Sequence, residues 1–332
     1  MSESGVVPID RISGVFDGAG PPGRLAVLCL SLLEEQKKTW PACRAGYASL
    51  AQAQERQVRC AGFSVRVQHN PGRTASTLAD VGEEGIAGRP CFLCVGSLPE
   101  GQKAVLYRDE YLVLCNPMPV FPAHFTISRI AHERQSIAGR AGAMLRLAGD
   151  FGPHFRVLYN GPRCGASAPD HMHFQAGPAG LMPVEGEAGA AGRVSIRKAG
   201  GVSVSLARGI GREVVILAGA GPSAVGEAFG AFTQALAGVL GTGEEPMMNI
   251  VCFHEGRRYS MLVFPRARHR PDAFYITGDD RISVSPAVVE MGGIIVTPRT
   301  VDFERIDAAC VEGIFREVSL DGETVEQAAR SM

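Results

Sequence analysis

The stretch His171-Met172-His173-Phe174-Gln175 restricts the fold more than any other part of the chain, because it reads as a β-strand that is polar on one face only. Side chains alternate across a strand, so His171, His173 and Gln175 would line one surface while Met172 and Phe174 enter apolar packing. Two imidazoles and an amide are costly to bury without partners, and that surface is therefore expected to face a site. The approach from Asn160 to Asp170 reads NGPRCGASAPD. Its backbone amides and small side chains can hold phosphate oxygens, so the whole segment reads as a nucleotide site.

A chain of 332 residues with 45% apolar and 20% charged residues has material for roughly two domains and a sizeable core. The formal net charge of -1 gives no electrostatic reason to expect nucleic acid. Met1 to Gly5 lacks a basic region leading into an apolar run, and Leu25 to Leu33 is too short to span a bilayer. Nine cysteines without a secretory leader point to reduced thiols and a cytoplasmic protein. Cys29, Cys115, Cys252 and Cys310 sit among apolar neighbours and read as core fillers.

The periodicity predicts an amphipathic helix over 24–38, packed as an accessory, and a strand over 63–68 running into the turn Asn70-Pro71-Gly72-Arg73. A catalytic core is expected to begin near Cys91, with strands at 111–115 and 124–127, a helix at 138–149 and a strand at 155–159. The order recurs as strands at 202–206 and 214–217, a helix at 223–240 capped by Ser223, and strands at 248–253 and 259–264. In this second passage Tyr259 to Val263 takes the place of the histidine strand and offers no nucleophile. Residues 176–192, rich in Gly and Ala, are expected to form a mobile loop.

Cys91-Phe92-Leu93-Cys94 alone could be a redox pair, half a zinc site or two packed thiols. A tetrahedral zinc site needs two more N or S donors, and His132 and His171 are the candidates that follow. Otherwise His132 is a surface helix-start residue. The pair His171 and His173 could alternatively present both rings to a catalytic metal. His124 reads equally as facing a nucleotide or as an ordinary strand histidine, and is not counted as catalytic. Asp170 either orients His171 or begins the strand. Arg73 could reach substrate phosphates from its turn, and Arg266, Arg268, His269 and Arg270 form a second basic cluster, with solvated loops the plainer reading of both.

Taken together, Cys91-x-x-Cys94, the strand at His124 to Ile127, His132, Asn160, Gly165-x-Ser167 and His-x-His-x-Gln resemble the histidine-triad (HIT) superfamily. The glutamine at the third triad position resembles its transferase branch, which holds galactose-1-phosphate uridylyltransferases, diadenosine tetraphosphate phosphorylases and GDP-hexose phosphorylases. HMHFQA at 171–176 is similar to the HLHFQA of the last, and the tail at 285–299 to bacterial relatives of that branch. Ser167 lies four residues before His171, where the uridylyltransferase pattern has three. The resemblance implies an α+β protein of two HIT-like halves with antiparallel sheets and flanking helices, and a single active site in the first half. The expected division is an accessory region over 1–85, a catalytic half over 86–195, and a second half with C-terminal extension over 196–332.

The resemblance also implies that His173 attacks the α-phosphorus of a nucleotide to give a nucleotidyl-histidine, with Gln175 holding the phosphate. Asn160, Gly165 and Ser167 would bind the nucleotide phosphates, joined on the reading of its turn by Arg73, while the resemblance has Cys91, Cys94, His132 and His171 hold a structural zinc ion. A neutral imidazole offers its lone pair near pH 7, and an amide holds charge without exchanging protons, which favours transfer or phosphorolysis over hydrolysis. The donor would be a sugar nucleotide or dinucleoside polyphosphate, and the acceptor phosphate or a sugar phosphate. A nucleotidyl hydrolase, or a zinc-stabilised nucleotide-binding protein without turnover, is the alternative. Two halves in one chain admit either a monomer or a homodimer.

Overall fold

The computed structural model describes residues 7–21, 23–77, 82, 85–86, 88–190 and 192–332. Its strands, in chain order, are β1 (Ile12–Phe16), β2 (Gln54–Arg59), β3 (Ser64–His69), β4 (Ala104–Tyr107), β5 (Tyr111–Cys115), β6 (Phe125–Arg129) and β7 (Phe155–Asn160). These are followed by β8 (His173–Pro178), β9 (Gly192–Ala199), β10 (Val202–Arg208), β11 (Val214–Gly219), β12 (Met248–Glu255), β13 (Arg258–Pro265) and β14 (Ile294–Thr297). Eleven of them form one sheet in the order β1-β4-β5-β6-β8-β7-β12-β13-β11-β10-β9, and β14-β3-β2 form a second. The fold is α+β, as expected. The sheets are mixed rather than antiparallel throughout, because β1 runs parallel to β4 and β14 parallel to β3.

The large sheet repeats one local plan about a central seam. On one side β5-β6-β8-β7 embrace the helix Ala141–Phe151 in sequence, and on the other β10-β11-β13-β12 embrace the helix Pro222–Leu240. β7 and β12 pair antiparallel where the two meet, from Asn160 opposite Asn249 to Val157 opposite Cys252. β13 thus occupies the position that β8 holds across the seam. Central strands such as β5 and β7 are buried at every residue, which accounts for their unbroken apolar runs.

One face of the sheet carries the two repeat helices, the helix Arg24–Thr39 and the C-terminal helix Gly322–Arg330. Leu25, Cys29, Leu32 and Leu33 of the N-terminal helix enter this main core. The other face is covered by the small sheet, the helix Ala308–Val318 and the helix Pro183–Ala190. That last helix replaces the expected loop. Val184 and Ala188 are buried, and buried Arg156 pairs with Glu185 at 2.7 Å, so tertiary contacts hold a segment that has no apolar stripe of its own. The cap of helix Pro222–Leu240 is Gly221 with Pro222 in the first turn, not Ser223. No described helix is long and apolar enough to cross a membrane.

Candidate active site

The strand expected at residue 171 begins at His173. Met172, Phe174 and Ala176 enter the core beneath the repeat helices, so His173 and Gln175 face the opposite side, where Ser128 and Thr126 of β6 sit beside them in register. There a cavity of about 560 Å³ is lined by His173, Gln175, Asn160, Gly165, Ser167 and Arg73. All six cavity residues anticipated from the sequence meet in it. Trp40 lies on its wall as well, as do His269, Arg270 and Ser285 from the second half of the chain.

His173 is 2% exposed, and its Nδ1 lies 2.8 Å from the carbonyl oxygen of His171. A carbonyl only accepts, so Nδ1 carries the proton and Nε2 keeps its lone pair. Burial pushes the ring's pKa down to about 4, and the nearby His171 adds to that, so the ring is neutral at ordinary pH. Gln135 fixes the backbone around it: its Oε1 accepts from the His173 N–H at 2.8 Å, and its Nε2 donates to the carbonyls of His173 and Asn160 at 3.1 and 2.8 Å. Nothing in the sequence around Gln135 marked it for this role.

Asn160 ends β7, and its Oδ1 accepts from Asn249 Nδ2 at 2.8 Å and from the backbone N–H of Val288 at 2.7 Å. Its oxygen is thereby fixed by the second half of the chain, and the amide nitrogen is the end left for the cavity. Gly165 has φ +103°, and a Cβ there would lie 2.4 Å from the Cβ of Ala287. Only glycine fits this turn of the loop between β7 and β8. Arg73 donates to the Met118 carbonyl at 2.5 Å, while its Nε is buried without a partner among the described residues. Facing the same cavity, Glu290 accepts from the Ala287 N–H at 2.9 Å, and burial raises its carboxyl to about 7 although Arg73 and Arg266 pull it down. This carboxyl was not anticipated, since it comes from a segment far along the chain.

The second basic cluster divides. Arg266 is 2% exposed and braces Asn249, Pro286 and Val318, whereas Arg268 pairs outside with Asp272. His269 and Arg270 reach the cavity. Asp170 pairs with Arg89 at 3.3 Å, and the same guanidinium donates to the Ser167 carbonyl at 3.3 Å, so this acid ties down the loop instead of orienting His171.

His171 turns away from His173 toward Cys91, Cys94 and His132, and the four donor atoms lie within 4.8 Å of one another. The separations are 3.2 Å for Cys91 Sγ to His171 Nδ1, 3.2 Å for Cys94 Sγ to His132 Nδ1, 3.6 Å for Cys94 Sγ to His171 Nδ1 and 3.3 Å between the two Nδ1 atoms. Donors bound tetrahedrally at the usual lengths of about 2.0 to 2.3 Å are roughly 3.3 to 3.8 Å apart, so the set fits a metal such as zinc. His171 Nε2 lies 2.7 Å from the Arg129 carbonyl, which fixes its proton there and frees Nδ1 for the metal. His132 sits in an irregular segment, not at a helix start.

The fold is similar to one seen in crystal structures: that of yeast Ap4A phosphorylase Apa2 in complex with AMP matches with a TM-score of 0.55 at 14% identity, over 88% of this chain and 96% of that one. A second crystal structure of yeast Apa2 gives a TM-score of 0.54 at 14% identity, over 90% and 94%. Residues 227–331 match the family model described as GDPGP1-like, C-terminal domain, and residues 32–178 match that of a domain of unknown function, DUF4922. No curated protein matches the sequence.

Proposed function

We propose that the protein is a phosphorylase-type nucleotidyltransferase that works through a nucleotidyl-histidine on His173. The observation that carries this reading is the fixed neutral tautomer of His173, whose Nε2 keeps its lone pair in a cavity that Gln175, Asn160 and Arg73 also line. In the first step Nε2 would attack the α-phosphorus of a sugar nucleotide or dinucleoside polyphosphate. The N–P bond forms as the P–O bond to the leaving phosphate breaks, and the pair of electrons departs with that oxygen. Inorganic phosphate then attacks the same phosphorus, the N–P bond breaks, and a nucleoside diphosphate leaves. No base is needed for the first displacement, because the nucleophile already holds a free lone pair.

Gln175 and Asn160 would donate to the non-bridging oxygens as their charge redistributes, and Arg73 would pair with the phosphate chain. Zinc held by Cys91, Cys94, His132 and His171 would supply structure rather than chemistry. It would anchor the residue two before the nucleophile, whose carbonyl sets the tautomer of His173. The likeness to an Ap4A phosphorylase crystallised with AMP and the GDPGP1-like C-terminal domain both support a nucleotide substrate.

Product analysis with GDP-glucose and with diadenosine tetraphosphate, with and without phosphate, tests the proposal. Phosphate-dependent release of a nucleoside diphosphate, abolished in His173→Ala, is expected. Phosphate-independent release of the monophosphate would make the protein a hydrolase, and retained turnover by His173→Ala would remove the proposed nucleophile.

A further inference from the structure

His124 lies in the wall of the same cavity, 1% exposed, and its hydrogen bonds leave one arrangement of protons. Its Nδ1 is 3.2 Å from the backbone nitrogen of Val120, and a backbone N–H can only donate. Nδ1 is therefore the acceptor and the proton of the neutral ring sits on Nε2. That Nε2 is 2.9 Å from Gln175 Oε1. An N–H donor selects the oxygen end of an amide, so the nitrogen end of Gln175 is turned the other way. Burial and the charge of Arg73 hold the imidazole neutral, with its pKa lowered to about 3, which keeps Nδ1 available to Val120.

The ring itself is clamped. Tyr47, from the helix Pro41–Ala51, accepts from the His124 N–H at 3.0 Å and donates to the His124 carbonyl at 3.2 Å. The Asn116 N–H reaches the same carbonyl at 2.9 Å, and the Phe121 ring packs edge-on against the imidazole with centroids 5.3 Å apart. A histidine tied down at backbone, ring face and Nδ1 has a single direction left for its Nε2–H.

We infer that His124 is a positioning residue that orients the Gln175 amide so that its NH2 group, and not its carbonyl, faces an anion bound at His173. Without that partner the amide loses both its place and its sense: it can swing off the bound anion or set an oxygen lone pair against phosphate oxygens, losing the charge-assisted hydrogen bond and adding a repulsion. His124 itself need not touch the substrate. The inference rests on the nucleotidyl-transfer reading for its catalytic consequence, whereas the tautomer and amide orientation stand on geometry alone.

Two measurements on the full-length, zinc-loaded protein test it. Side-chain 15N spectra of the free protein should show His124 as the Nε2–H tautomer, with no titration between pH 5 and 8; an Nδ1–H tautomer or an imidazolium at neutral pH would overturn the inference whatever the protein catalyses. Quenched-flow formation of the nucleotidyl-enzyme from GDP-glucose or diadenosine tetraphosphate should slow about 100-fold in both Gln175→Ala and His124→Ala, with no further loss in the double variant. His124→Gln, whose amide nitrogen can reach the Nε2 position, should recover to within about 10-fold of wild type. Additive losses in the double variant, or an unimpaired His124→Ala, would overturn the positioning role. So would a His124→Gln protein with wild-type metal content and melting temperature but the rate of His124→Ala. Failure of wild type to form any adduct would count against the nucleotidyl reading alone, and the spectra would still decide the orientation.

Discussion

At the scale of single residues, the site depends on groups whose protonation is fixed by burial, and two of them give stability opposite pH dependences. His124 titrates near 3 when folded against an ordinary 6.5, so its contribution is full above about 6.5 and is lost as pH falls toward 3, where the unfolded chain takes up the proton first. Glu290 behaves in the reverse sense. Its folded value of about 7 lies above the ordinary 4.5, so its contribution is full below about 4.5 and is lost as pH rises through 7. Glu290→Gln, which keeps an acceptor for the Ala287 N–H, should therefore raise the melting temperature at pH 8 relative to wild type and leave the decline at low pH in place. Equal melting temperatures of the two proteins at pH 8 would mean that the carboxyl carries no such penalty. The proposed nucleophile and three of the four candidate metal donors were legible in the sequence because Cys91-x-x-Cys94 and His171-x-His173 are short motifs with fixed spacing, whereas His132 stands apart from both. The roles of His124 and Glu290 were not, because one depends on which N–H meets its Nδ1 and the other on how a distant segment folds over Asn160.

Elements became legible to the extent that their own composition determines them. The buried strands β5, β7 and β11 showed as apolar runs, and the second repeat helix showed as a stripe. β9 did not, since seven of its eight residues are exposed and alternation is lost. Helix Pro183–Ala190 was hidden by glycine and alanine, and is fixed from outside by Arg156 on Glu185 and Arg212 on Glu187. The loop between β7 and β8 is held at two points that can be tested separately. Gly165→Ala forces a Cβ into φ +103° and onto Ala287, and should cost about 1 to 3 kcal/mol of stability by denaturant unfolding. Cys91→Ser removes one of the four candidate metal donors. It should lower bound zinc in elemental analysis and the melting temperature by roughly 5 °C, and a protein that keeps both would show that the group is not a metal site.

At the scale of the whole molecule, the repeated plan was readable from the order of strands and helices, but the joining of both copies into one sheet was not, because pairing of β7 with β12 leaves no local mark. That seam has a functional reading. The oxygen of Asn160 is held by Asn249 and by the Val288 N–H, and the cavity lining includes Arg270 and Ser285, so a cavity built on motifs of the first half is completed by the second. A fragment of residues 1–195 exposes the edge of β7, where Val157, Leu158 and Tyr159 are otherwise at most 1% exposed. It should aggregate and bind no nucleotide, while the full chain unfolds in a single transition. A soluble fragment that binds nucleotide with full affinity would deny the second half its part in the site.

The central claim is a covalent intermediate on one imidazole nitrogen. Its most direct measurement is intact mass after alkaline quench of the zinc-loaded protein mixed with GDP-glucose, UDP-glucose, ADP-glucose or diadenosine tetraphosphate, followed by peptide mapping. The prediction is an added nucleoside monophosphate on His173 that inorganic phosphate discharges and that His173→Ala does not form. An adduct on another residue, or one that persists in His173→Ala, would contradict it.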